Sequence, residues 1–469
     1  MSEPVSCSKS FSALGAWWRP EKPDEQVAGS FVWDPREGGR LDLLGFFVDD
    51  GGDPTHFQAP IVHGVAEGNE YTLINCHTTQ FNLRTPGVTT QQLRPFAGAL
   101  AGILHPDPTE ADFDRLTMDV DYVAELSGWT HITPRYASSD WERFDFVSIE
   151  YEHPSDVVAN LRSESIRLAS EWSSGGDPIG RAEIRETVRL VVDSRAPIGL
   201  SDLIERYVGP LRDLVTFAAQ VPAAIRSVTV AGPSTTEVLD SGRTIKRPSE
   251  VLLPFLEGDA RDSTTTRLRH SLLAIPTEPR ALRSLLQSWL DLRQRLAPVI
   301  DLRFAASYAR FTYGENRFLN AVQAVEALHR RALAGVPDPE DLEARAAVLA
   351  GCPDEHRLWL EGKLQYAHEP TLRRRLREVL DFVGTGLRPA TGPPAKFINA
   401  VVTTRNELTH WDEHAHRKLG DDLHGLALVL GYVIDASLLR LLGYSADEVR
   451  STLDANEHFR WVASRFATK

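Results

Sequence analysis

Arg405, Asn406 and His410 are the residues of this 469-residue chain whose types and spacing most directly suggest chemistry. They sit in the segment Arg405-Asn406-Glu407-Leu408-Thr409-His410, which joins a permanent cation, an amide and an imidazole. An imidazole titrates near neutrality, so it can take a proton from a ribose 2′-hydroxyl and later return one to a leaving oxygen. A guanidinium can hold the charge that builds on phosphoryl oxygens. These are the groups that metal-free cleavage of a phosphodiester requires. The spacing alone carries little weight: with 44 arginines and 15 histidines, about one Arg-x4-His match is expected by chance, and one occurs. An Arg and a His on the solvated face of an amphipathic helix is the competing reading of the same letters.

The element that must position these groups is a helix beginning near Ala395, with Phe397, Val401 and Leu408 as its apolar stripe. Its Val401-Val402-Thr403-Thr404 run is β-branched and by propensity suits a strand, so the helix rests on the flanking periodicity. At about 100° per residue, Asn406 and His410 share a face, whereas Arg405 stands about 140° round from His410. A long Arg side chain can swing toward the imidazole, or a second subunit can supply the complementary group. The whole stretch after Pro276 has the same helical character. Leu282, Leu285, Leu286, Trp289, Leu292 and Leu296 recur at helical spacing, as do Phe318, Val322, Val325 and Leu328. Leu342–Leu349, Leu372–Phe382 and a long final helix through Leu423, Leu430, Val433 and Leu441 continue it, punctuated by Pro337, Pro353, Pro370 and the 389–394 segment. Residues 276–469 read as an all-α bundle.

Residues 1–275 read as β-rich. Short runs at Ser30–Trp33, Leu41–Val48, Glu70–Cys76, Met118–Tyr122 and Phe144–Glu150 alternate in the manner of half-buried strands, broken by Gly, Pro and Asp. Arg181–Val192, Ser227–Val230 and Val251–Phe255 extend the pattern, and Ser201 offers an N-cap for a helix running to about Ala219. Trp17, Trp18, Trp33, Trp129 and Trp141 crowd this part, and packing within and between sheets explains them better than a ligand platform. The expected class is α+β and multidomain: an antiparallel sandwich or open barrel, with room for two subdomains, followed by the helical bundle.

Charge is divided unevenly. The chain carries −14 overall, but residues 301–469 have 22 basic against 23 acidic side chains, so nearly all the excess lies in residues 1–300. An acidic β-rich part repels phosphates, leaving the near-neutral helical part as the candidate nucleic-acid surface. Cys7, Cys76 and Cys352 are too few and too widely spaced for a disulfide framework or a cysteine zinc site, which points to a reducing, cytoplasmic setting. No continuous run of about 18 apolar residues marks a membrane span.

The helix reading Phe318-Leu319-Asn320-Ala321-Val322-Gln323-Ala324-Val325-Glu326-Ala327-Leu328-His329-Arg330, followed later by Arg405-Asn406-x-x-x-His410, resembles the ApeA-like HEPN domains. Gly15-Ala16-Trp17-Trp18-Arg19-Pro20, the strand through Val32 and Leu41-Asp42-Leu43-Leu44-Gly45 are similar to the ApeA N-terminal domain. The two resemblances together cover nearly the whole chain. They imply an antiphage protein of the abortive-infection kind, with a metal-independent endoribonuclease made composite across a HEPN homodimer. His410 then transfers protons, Arg405 binds the scissile phosphate and Asn406 orients the phosphate or His410. The products are a 2′,3′-cyclic phosphate and a 5′-hydroxyl. RNA is the implied substrate, with tRNA one candidate; a phage-derived trigger acts through the N-terminal part, and no cofactor or metal is implied.

Three further groups draw notice. An ionised Glu326 among Ala and Leu is costly unless paired, so it either orients His410 or Arg405 or faces solvent. Arg373, Arg374, Arg375 and Arg377 can supply RNA phosphate contacts, or form a solvated helix face with an opposite-charge neighbour, the commoner outcome for charge runs. Asp412-Glu413-His414-Ala415-His416, with His424 beyond, has metal-binding residue types, but a His-x-His pair faces opposite sides of a helix. A non-catalytic HEPN module that binds a nucleotide, RNA or protein is the alternative function, and a carbohydrate-binding N-terminal sandwich ranks below it.

Overall fold

The computed structural model describes residues 5–49, 52–137, 146–177, 179–239, 242–254, 270–309, 311–334, 339–365, 369–410 and 420–467. Trp141, Phe144 and Phe255 lie outside the described residues. The chain forms two compact units: Met1–Leu268 with Ala274–Gln287, and Arg269–Leu273 with Ser288–Lys469.

Period-two alternation builds the first unit. Strands β1 (Phe11–Arg19), β2 (Lys22–Asp34), β3 (Gly38–Leu44), β4 (Gln58–Ala66), β5 (Asn69–Asn82) and β6 (Thr90–Pro95) are antiparallel neighbours in the order β5-β4-β1-β2-β3-β6. Pairing of β6 back onto β5, from Cys76↔Pro95 to Asn82↔Thr90, closes them into a six-stranded barrel. Its interior is filled by Ala13, Trp17, Phe31, Trp33, Leu41, Leu43, Tyr71, Leu73 and Leu93. Trp17 and Trp33 are fully buried, and their indole N–H groups donate to Gly29 O and Cys7 O. These tryptophans are core, and each has found the polar partner a buried indole needs. The Leu41–Val48 strand stops early, at Leu44, because Gly45 takes φ 137. Cys7 and Cys76 are buried against this core, and burial pushes both thiols up.

Trp17 fills the space that a side chain at residue 64 would need: a Cβ built on Gly64 stands 2.1 Å from the Trp17 ring. Gly64→Val is therefore expected to overpack the barrel and destabilise it by about 1–3 kcal/mol or more. A lowered urea midpoint for the β-rich unit checks this, and an unchanged midpoint would refute the close contact.

β5 is a shared strand. Its Tyr71–Leu73 segment pairs with β7 (Ala99–Ala101) and its Cys76–Asn82 segment with β6, with Asn75 at φ 56 between them. The remaining strands are β8 (Phe113–Val120), β9 (Ile132–Ala137), β10 (Phe146–Tyr151), β11 (Val157–Asn160), β12 (Glu164–Asp177), β13 (Arg181–Ile198), β14 (Ile225–Ala231), β15 (Thr236–Val238), β16 (Thr244–Lys246) and β17 (Ser249–Leu252). From β7 the sheet continues in the order β17-β14-β8-β13-β12-β11, while β9–β10 and β15–β16 are separate two-stranded pairs. Helices α1 (Val123–Ser127), α2 (Leu200–Leu203) and α3 (Gly209–Ala219) complete this unit, and α3 is buried from Pro210 to Ala219. The helix expected to be capped by Ser201 starts at Leu200 instead. Extended Gly199 is its cap residue and no side chain bonds the first turn.

The second unit is helical. Its elements are α4 (Pro279–Arg295, within which the division between the units falls), α5 (Ala297–Tyr308), α6 (Gly314–Leu328), α7 (Pro339–Ala350), α8 (Asp354–Lys363), α9 (Leu372–Val383), α10 (Arg388–Thr391), α11 (Pro394–His410), α12 (Gly420–Leu441), α13 (Ala446–Ala455) and α14 (Glu457–Phe466). By length and composition α12 is apolar enough to cross a bilayer, but most of it is buried against α6, α9 and α14, the burial of a bundle's central helix. Asp435 on α12 is fully buried and takes a two-pronged bond from Arg303 of α5, at 2.9 Å from Nε and 2.7 Å from Nη2.

Candidate active site

Packing decides the conformation of α11. Phe397, Ile398, Val401 and Thr404 are buried at helical spacing against α9 and α6, which overrides the strand propensity of the 401–404 run. Pro394 opens the helix, where its missing N–H costs nothing.

The motif occupies the last two turns of α11. Arg405 is half-buried and Asn406 exposed, and the Arg405 Nη1–H donates to Asn406 Oδ1 at 3.4 Å. Thr409 Oγ1 lies 2.9 Å from Arg405 O and 3.1 Å from Asn406 O, tying its hydroxyl to the backbone of this end. Among the described residues no carboxylate pairs with Arg405, so its guanidinium keeps its positive field for an anion. His410 is the last residue of the helix; its side chain lies outside the described residues, as do Asp412, Glu413, His414 and His416. His424 is exposed on α12, edge-on to Phe466 at 5.9 Å, and the described residues contain no group of three metal-ligating side chains.

Glu326 is half-buried on α6, and among the described residues no hydrogen bond or ion pair joins it to Arg405 or Asn406. The arginine run of α9 divides. Arg375 is buried, with Nε on Pro370 O at 2.8 Å and Nη2 on Glu369 at 2.6 Å, so it packs the bundle instead of meeting solvent. Arg374 pairs with Glu378 at 2.8 Å. Arg373 is exposed and donates from Nη2 to Asn399 Oδ1 of α11 at 3.0 Å, and Arg377 is exposed.

Sequence reasoning allowed these arginines an opposite-charge neighbour but named neither Glu369 and Glu378 nor His329. Buried His329, in a π-helical turn after α6, places Nε2 2.5 Å from Glu378 Oε2, and Arg374 takes the other oxygen of that carboxylate. Bonds from His329, then Arg374, hold Glu378 below the 4.5 of a free glutamate. Its stabilisation is thus complete above that value and is lost as pH falls through the lower pKa of the folded state. Glu378→Gln is expected to flatten the acid limb of the melting-temperature profile of the helical unit. Parallel profiles for parent and variant would refute the linkage.

A family model for the ApeA N-terminal domain 1 matches residues 12–288, more than half of the chain. The chain belongs to the ApeA family. A second model, Apea-like HEPN, matches residues 319–448 of this ApeA chain, a stretch that includes Glu326, the α9 arginines and Arg405 to His410. The helical unit therefore carries a HEPN module, a type of domain associated with nucleases. No curated protein and no solved structure matches the chain.

Proposed function

We propose that this ApeA-family protein is an antiphage endoribonuclease of the cytoplasm. The observation that carries the reading is the end of α11: an arginine without a carboxylate partner among the described residues, bonded to an asparagine one turn before a histidine, within the HEPN-matched residues. His410 removes the proton from a ribose 2′-hydroxyl, the 2′-oxygen bonds to phosphorus, and the bond to the 5′-oxygen breaks. The proton returns to that oxygen, leaving a 2′,3′-cyclic phosphate and a 5′-hydroxyl. Arg405 stabilises the phosphoryl oxygens in passage, and Asn406 orients the phosphate or His410. A homodimer of HEPN units brings a second motif to the site, and the N-terminal unit restrains activity until a phage-derived trigger arrives.

Cells expressing the chain, challenged with phage and probed for RNA fragments ending in 5′-hydroxyls, test this reading. Fragments that depend on both infection and His410 are expected. Protection that persists without such fragments would favour the non-catalytic HEPN module, binding RNA, nucleotide or protein through the same helical surface.

A further inference from the structure

We propose that Arg373 and Arg377 of α9, with Asn399 of α11 as a positioning residue, form a track for the backbone phosphates of an RNA strand outside the cleaved bond. This rests on the ribonuclease reading and adds to it where the substrate runs.

The four arginines of α9 differ in electrostatic fate. Arg374 and Arg375 are paired with Glu378 and Glu369, carboxylates that also meet His329 and Arg330. Arg373 and Arg377 are exposed and pair with no carboxylate among the described residues. They stand four apart on one helix, so both guanidinium groups project from one face. Arg373 and Arg377, the two without a carboxylate partner among the described residues, lie in the first two turns of a helix with no acidic residue in its first turn, where they oppose the macrodipole. Departures from local sequence rules concentrate at functional or strained sites.

Asn399 connects this face to the motif. It accepts from Arg373 Nη2 at 3.0 Å, and it precedes Asn406 by two turns and His410 by three on the same helix. At about 100° per residue the three positions fall within about 40° of one another, a single row along α11. Arg373 is thereby held beside that row at about 10 Å along the axis from Asn406 and about 16 Å from His410. One bond fixes its plane and leaves the other N–H donors of the guanidinium for a phosphate. A single phosphate or a mononucleotide does not extend over such a span. A polynucleotide does, and it has one acidic group per residue to meet successive arginines.

The test uses the full chain with His410→Ala, so that the RNA is not consumed, and a fluorescein-labelled single-stranded RNA of about twenty mixed nucleotides, longer than common single-strand site sizes. Binding is measured across a salt series for this chain and for versions that add Arg373→Ala, Arg377→Ala or Asn399→Ala. Each arginine variant is expected to weaken binding and to reduce the slope of log K against log salt by about 0.7–1. Asn399→Ala is expected to weaken binding with the slope retained, because the charge remains. Parental affinity and slope in both arginine variants would overturn the track while His410-dependent cleavage still stood. Absence of RNA binding by the His410→Ala chain, together with absence of cleavage by the parent in infected cells, would instead overturn the ribonuclease reading. If Arg373→Ala also lowers the melting temperature, Arg377→Ala, which removes no bond among the described residues, decides the matter.

Discussion

Triggered protein carrying His410→Ala is expected to cleave RNA about 10²–10⁴-fold more slowly than the parent, the usual contribution of a positioned acid–base group. Its RNA affinity and melting temperature are expected to stay at parental values. The substitution falls on the last residue of α11, and alanine is the best helix former, so the backbone that carries Arg405 and Asn406 has no reason to change. A companion, Arg405→Lys, keeps the charge but loses the planar fork that meets two phosphoryl oxygens at once. A fall of about 10²–10³-fold is expected there, comparable to the loss of one transition-state donor. Single-turnover cleavage of a labelled RNA measures both. Parental rates in His410→Ala would remove the acid–base role, leaving the arginine as a binding group.

Asp435→Ala is expected to be the most damaging single change to the fold of the helical unit, by about 3–5 kcal/mol, out of the 5–15 kcal/mol that typically separates folded from unfolded domains. Asp435 has no exposed surface, and its two oxygens take Nε and Nη2 of Arg303, whose side chain is only 20% exposed. Burial alone would push the Arg303 guanidinium down, yet the charge and hydrogen bonds of Asp435 hold it above its ordinary value. Truncating the carboxylate leaves that cation in the bundle without its partner, which is why the loss exceeds the worth of the pair itself. Replacing both partners by Met and Leu is expected to restore most of the stability. Because the chain has two units, the urea transition of the helical one must be followed by its own probe, the buried Trp289. A midpoint for Asp435→Ala within experimental error of the parent would show that the pair contributes nothing.

The order of β-rich then helical parts was legible because each has an unmistakable period. In the helical part, Leu282, Leu286, Trp289, Leu292 and Leu296 are all buried as their spacing demands. Strand β4 was not legible: Pro60 and Gly64 interrupt its letters, and the reason for Gly64 is a tryptophan 47 positions earlier in the chain. The second half of β12, Ser173-Ser174-Gly175-Gly176, reads as a loop but is held extended by its ladder with β13. Closure of the barrel depends on the pairing of β5 with β6, which alternation cannot specify. At the site, residue types pointed to Arg405, Asn406 and His410, but not to which arginines of α9 already had partners. Glu369 and Glu378 decide that, and His329, which meets Glu378, lies 49 residues away from it. That long-range contact leaves no local signature, whereas Arg374 and Glu378 stand four apart on one helix, a spacing that the letters do display.

The divided allegiance of β5 governs how the N-terminal unit can come apart. A strand bonded to β4 along one edge, and to β7 and then β6 along the other, cannot be withdrawn from barrel or sheet alone without baring an edge in both. In the language of hydrogen exchange, barrel and sheet are then expected to behave as one foldon, with the central amides of β5 exchanging together.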